Sequence, residues 1–214
     1  MTLQTIISEM VKCFGTTLSL FLLTLLGSLP LGLLVAFGRM SKHWLPRNFT
    51  RVYISIMRGT PLMLQMWVVF FGIPKLIPIG SNWRYIAAVI AFIINYAAYF
   101  AEIYRGGILS IDRGQYEAAA ALGFTKGETF FRIVLPQVVK RIIPAIGNEV
   151  ITLVKDTSMA FTIAVTEMFT IAKQLSSANT TMTPLIAAGV FYYIFNWAVA
   201  FTMERLEKRY AYYN

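Results

Sequence analysis

Apolar positions run along this chain in long blocks, and the charged residues fall mostly between them. The first twelve residues are mixed and include Glu9 and Lys12, after which Cys13 to Gly38 gives 26 residues without a charge. As a helix rising about 1.5 Å per residue that run is about 39 Å long, enough to cross a hydrocarbon core of about 30 Å. It lacks the basic start, shorter apolar stretch and small-x-small cleavage site of a signal peptide, so a retained span is expected, bent near Pro30 and Gly32. By the same measure spans are predicted over residues 52–73, with Arg58 near the start, over 84–105 and over 184–204. A segment over 142–172 is the least apolar, because it carries Glu149, Lys155, Asp156 and Glu167. The pattern predicts one all-α integral membrane domain over residues 1–214, with five transmembrane helices.

Composition agrees with that pattern. Of 214 residues 57% are hydrophobic and 14% charged, against about 25% charged in soluble domains. The formal charge is +9, but a nucleic-acid binder would be polar as well as basic. Cys13 is the only cysteine and His43 the only histidine, which removes an internal disulfide, cysteine clusters and two-histidine metal sites. Both are expected to be incidental.

The basic residues also orient the chain. Fourteen of the nineteen lie between spans one and two, between spans three and four, or after span five; Lys12, Lys75, Arg84 and Lys173 lie on the other side. The positive-inside rule then puts the N-terminus outside and the C-terminus in the cytoplasm. The aromatic set Tyr192, Tyr193, Trp197, Tyr210, Tyr212 and Tyr213 is expected in the core and the interface belts.

Residues 112–136 form the part of the water-facing loop with the clearest internal structure. Gln115 to Leu122 is rich in helix formers, and Gly123 follows where a left-handed cap would stop a helix. Thr125 and Glu128 have the spacing of a capping box, and a second helix is expected from Phe130 until Pro136. Two short helices at a glycine corner would make a rigid knob below the membrane.

Within that knob, Glu117-Ala118-Ala119, then Gly123, then Ile133-x-Leu135-Pro136 resembles the EAA loop of bacterial ABC-importer permeases, in particular the polar amino acid branch with the type I importer fold. Arg58-Gly59-Thr60-Pro61-Leu62, Lys155-Asp156-Thr157-Ser158 and the stretch from Asn95 through Glu102 to Arg105-Gly106-Gly107-Ile108 extend the resemblance over about residues 13 to 205. It implies that the loop is a coupling helix seated in a separate ATPase subunit, with Glu117, Ala118, Ala119 and Gly123 as its coupling residues. It further implies two ATP-binding ABC subunits holding ATP and magnesium, a second identical or similar permease subunit, an extracellular solute-binding protein and a bacterial inner-membrane location. No G-x-x-x-x-G-K-[ST] sequence occurs in the chain, so no cofactor is expected on it and the motor must be another polypeptide. No H-E-x-x-H or G-x-S-x-G pattern occurs either, so the chain is not expected to be an enzyme.

Ionisable residues inside a membrane point to function. A free amino acid is a zwitterion, and its passage needs partners for both charges. Asp156 and Glu102 suit the ammonium group, while Lys155, Thr157 and Asn95 offer donors to the carboxylate. On a continuous helix Glu149, Asp156 and Glu167 would share one stripe, and Asn95 and Glu102 share a face of the third span. The plainer alternatives are mutual neutralisation or gating by Lys155 and Asp156, an ion pair of Glu102 with Arg105, and packing for Gln65. A transporter driven by an ion gradient, with the carboxylates relaying protons, is the competing functional class. Membrane lipid is an expected partner and nucleic acid is not.

Overall fold

The computed structural model describes residues 2–77 and 80–210, so Tyr212 and Tyr213 lie outside the described residues. The described residues form helices joined by short turns, with no strand among them. Three helices are long and apolar enough to cross a membrane: α1 (Leu3–Met40), α4 (Trp83–Leu109) and α9 (Thr183–Tyr210). Helix α1 starts ten residues before the charge-free run, where the Thr2 hydroxyl accepts a hydrogen bond from the Thr5 N–H. It continues through Pro30 without interruption.

Helices α1 and α4 are joined by small residues. Ala87, Ala88, Ala91, Ala97, Ala98 and Ala101 of α4 are buried. At Gly32 a Cβ would lie 2.9 Å from Phe100 Cβ and 3.0 Å from the Ala97 carbonyl oxygen. Lipid tails are as apolar as leucine, so close backbone approach, rather than expulsion of water, holds such helices together.

The segment expected to cross as one span over 52–73 is instead two helices, α2 (Trp44–Gly59) and α3 (Leu62–Gly72), meeting at 112°. The cause is Pro61, which has no N–H to donate and forces Thr60 into an extended conformation, φ −125°, ψ 149°. The segment over 142–172 is divided as well. Helix α7 (Leu135–Asp156) passes into a tight 3₁₀ stretch over Thr157–Ile163, then turns at Ala164 (φ 55°) before α8 (Met168–Asn179). Glu149 and Asp156 therefore share α7, whereas Glu167 leaves the expected stripe and becomes the N-cap of α8.

Between α4 and α7 lie α5 (Arg113–Ala121), a single turn α6 (Lys126–Glu128) and a π-helical turn over Thr129–Val134. The second loop helix does not end at Pro136, as its sequence led us to expect. The wider π turn, with the Leu135 N–H donating to Phe130, carries the chain past the proline straight into α7.

Candidate functional site: an intramembrane charge cluster and a cytoplasmic hairpin

At the break between α2 and α3, Pro61 leaves helix carbonyls without their usual donors, and side-chain amides replace them. Gln65 Nε2 donates to the carbonyls of Met57 (2.9 Å) and Thr60 (3.0 Å) and to Thr60 Oγ1 (2.8 Å). Asn95 Nδ2 donates to the Met57 carbonyl (3.1 Å) and to Gln65 Oε1 (2.9 Å). In an apolar surrounding each unmet carbonyl would be costly. Asn95 is buried and both its amide protons are engaged, which leaves no donor for a substrate carboxylate. Gln65, expected as a packing residue, is the centre of this polar knot.

The charged positions gather on α4 and α7 near that knot. Tyr96 Oη donates to Asp156 Oδ2 at 2.7 Å, and the Tyr96 ring is buried between Phe92 and Phe100. The Arg58 guanidinium lies 5.3 Å from the centre of the Tyr99 ring and within Coulombic range of Glu102 and Glu149. Glu102 is held by Arg105 through three contacts of 2.7 to 3.2 Å, which is the plainer of its two expected arrangements.

Lys155 and Asp156 lie within Coulombic range of each other but form no contact ion pair, since neither takes part in the three ion pairs among the described residues. Consecutive helix positions point about 100° apart. Asp156 turns to Tyr96, while Lys155 lines a separate cavity of about 420 Å³ with Ser158, Phe169 and Tyr192. Thr157 is fully buried and its hydroxyl donates to the Val154 carbonyl at 2.7 Å. Like Asn95, it has no donor free for a ligand in this arrangement.

Glu167 is the most deeply buried of the expected acids, and its neighbours are donors rather than cations. It accepts from the N–H groups of Phe169 (2.8 Å) and Thr170 (2.6 Å), from the Thr170 hydroxyl (2.9 Å) and from Tyr192 Oη (3.0 Å). Tyr192 is therefore a half-buried partner of Glu167 and belongs to the core part of the aromatic set. The exposed flank of α9, with Tyr193 and Trp197, faces outward as expected.

On the cytoplasmic side Asp112 caps α5, accepting from the Gly114 N–H at 2.6 Å. The helix ends in a Schellman arrangement: Gly123 (φ 81°) donates to Ala120 and Phe124 donates to Ala119, both at 3.0 Å. The capping box is complete, with Glu128 N–H on Thr125 Oγ1 (3.3 Å) and Thr125 N–H on Glu128 Oε2 (3.0 Å). These bonds, the backbone one foremost, hold the Glu128 carboxyl below its ordinary range. Glu117, Ala118 and Gly123 are exposed, whereas Ala119 is buried inside the hairpin, where its small side chain shapes the knob.

Two exposed apolar side chains, Leu122 (76%) and Phe131 (67%), add to the knob's outer face. Sequence reading passed over them because they sit in apolar runs. The signal for Leu122 was its place just before the capping glycine, where a side chain projects outward. The hairpin is tied to the helices it joins by Arg141, which donates to the Ser110 carbonyl and hydroxyl, and by Gly107 lying against Ile142.

Comparison with known proteins agrees with this architecture. Residues 28–212 match the family described as binding-protein-dependent transport system inner membrane component. The chain is 36% identical over 194 residues to the glutamine transport system permease protein GlnP of Escherichia coli K12, covering 90% of this chain and 89% of that one. It is 38% identical over 202 residues to the L-cystine transport system permease protein TcyL of Bacillus subtilis, covering 90% and 84%. Among solved structures, an amino acid ABC transporter crystallised with histidines superposes with a TM-score of 0.86 at 29% identity, over 94% of each chain. The methionine transporter MetNI, at 19% identity and a TM-score of 0.76 over 99% of this chain and 100% of that one, shares the fold. The permease relatives and the amino acid ABC transporter at 29% identity speak against the gradient-driven alternative. The chain belongs to the family of binding-protein-dependent transport system inner membrane components.

Proposed function

We propose that this chain is the permease subunit of an ATP-driven importer that carries a polar amino acid across the bacterial inner membrane. The reading has five crossings: α1, the broken pair α2 and α3, α4, α7 with α8, and α9, with the N-terminus outside. The observation that carries it is the rigid exposed hairpin presenting Glu117, joined directly to the two helices that hold the Tyr96–Asp156 contact. A push on the hairpin is thereby a push on α4 and α7.

In this mechanism two ATPase subunits, which hold ATP and magnesium, dock on the hairpins of a permease pair related by a two-fold axis. An external solute-binding protein delivers the cargo. Closure of the ATPases moves the hairpins together and opens the path outward, and hydrolysis resets it. Asp156 and Glu102 meet the ammonium group, and Lys155, which lines a separate cavity in this arrangement, meets the carboxylate only once the helices have shifted, while Asn95 and Thr157, with donors already engaged, hold the helices that position them. Glutamine, cystine and arginine are the first cargoes to try, since relatives of 36–42% identity carry those words in their names.

The test is reconstitution in liposomes with the ATPase and the binding protein. Glu117→Arg is expected to abolish cargo-stimulated ATP hydrolysis and uptake while the subunit still inserts. Undiminished transport by that variant, or uptake driven by a proton gradient without an ATPase, defeats the proposal.

A further inference from the structure

A cavity of about 670 Å³ lies at the opposite end of α4 from the hairpin. Its walls come from three places: Thr16 and Ser19 of α1, Ser81 to Tyr85 at the start of α4, and the turn Ala164–Thr166 between the 3₁₀ stretch and α8. Seven of the nine lining residues carry a hydroxyl, amide or guanidinium group, and none carries a carboxylate. Arg84 is its one cation, and it takes part in none of the ion pairs among the described residues. Asn82 spends no side-chain bond on capping α4, and the Ser19 and Tyr85 hydroxyls close one wall at 2.7 Å.

Depth decides what would fill such a site. Helix α4 has 27 residues, about 40 Å of helix, so it outreaches a hydrocarbon core of about 30 Å and its Trp83 end stands among the headgroups. Arg84 is exposed at this end, between Trp83, whose indole N–H donates to the Phe70 carbonyl, and Tyr85, whose hydroxyl meets Ser19. A guanidinium with hydroxyl and amide donors around it and no competing acid recognises an oxyanion, and binds phosphate through paired N–H groups.

We propose that this cavity binds the phosphodiester of a phospholipid from the leaflet on the Trp83 side, clamping α1, α4 and the Ala164 turn together. The proposal rests on the membrane placement and assembly proposed above but not on which cargo is carried. It is tested by native mass spectrometry of the permease–ATPase complex released from maltoside micelles. The wild type is expected to hold one phospholipid per permease subunit. Arg84→Gln should lower that occupancy about tenfold, as loss of a charge-assisted contact does. Arg84→Lys should lower it less, and Thr166→Val, which keeps the cation, should cause a smaller loss in a chain whose folding is not in question. Equal occupancy in wild type and Arg84→Gln overturns the proposal. So does displacement of the lipid by millimolar inorganic phosphate or by free glutamine, either of which would assign the oxyanion site to a soluble ligand.

Discussion

The cytoplasmic hairpin and the two breaks within the membrane solve the same problem, how to end a helix, by opposite means. In the hairpin the capping bonds come from within a few residues: Asp112 on Gly114, Phe124 on Ala119, Thr125 and Glu128 on each other. Water stands ready for any group left over. In the membrane it does not, and the local caps Gln65 and Glu167 are themselves joined to partners far along the chain. Asn95 answers Met57 from 38 residues away, and Glu167 is joined to α9 through Tyr192. The hairpin is thus a locally specified tool that can be moved as a unit, while the breaks are held by the tertiary structure they help to form. Damage to the two should be read out differently: stability at the breaks, coupling at the hairpin.

The sharpest attempt to break this comparison is Glu167→Ala. It leaves two backbone N–H groups and the Tyr192 hydroxyl without the acceptor that a fully buried carboxylate supplies. A loss of about 3–5 kcal/mol is expected, seen as a lowered unfolding midpoint in detergent. Glu167→Gln, which keeps one acceptor oxygen, should recover part of it. A midpoint unchanged in Glu167→Ala would mean that α8 is not anchored by its cap. Next comes Asn95→Leu, which strips the Met57 carbonyl and Gln65 of a donor at an apolar-sized position. About 2 kcal/mol is expected, with cargo-stimulated ATP hydrolysis per folded molecule retained. Loss of cargo affinity at full stability would instead return Asn95 to the substrate path.

These two positions also mark how far the sequence could be read. Short-range features were legible because their causes are short-range: the Gly123 corner, the capping box, and the polarity of the loop are all fixed by neighbours. The apolar runs of α1, α4 and α9 were equally plain. Pro61 was visible, but its consequence was not, since a proline tells of a missing donor and not of which distant amide replaces it. Asn95 looked like a ligand because an amide in an apolar run has no local partner. The division of α7 from α8 left no trace beyond reduced hydropathy, and the divergence of Lys155 from Asp156 follows from helix geometry only once the helix is known to end there.

A milder substitution probes the hairpin side. Gly123 sits at φ 81°, where a side chain costs about 1 kcal/mol. Gly123→Ala is therefore expected to lower the unfolding midpoint only slightly but to impair cargo-stimulated ATP hydrolysis more than Asn95→Leu does. The reverse ranking would show that the knob's shape is not what the motor reads.

The smallest effect expected is a pH dependence confined to the capping box. Glu128 titrates below its ordinary value of 4.5 because its charged form accepts the Thr125 N–H and hydroxyl. A carboxylate whose pKa is depressed by folding contributes stability that is present above the unfolded value and lost as pH falls through the folded one. Hydrogen exchange of the Thr125 amide, corrected for the intrinsic rate, should show protection that is constant near neutrality and declines below about pH 4.5. Glu128→Gln should remove the pH dependence, since its amide does not titrate, while the exchange of buried amides in α4 stays as it was. Protection that spread its pH dependence into α4 would mean that the hairpin is not a separately specified unit, and the contrast between the two regions would fail where it is most local.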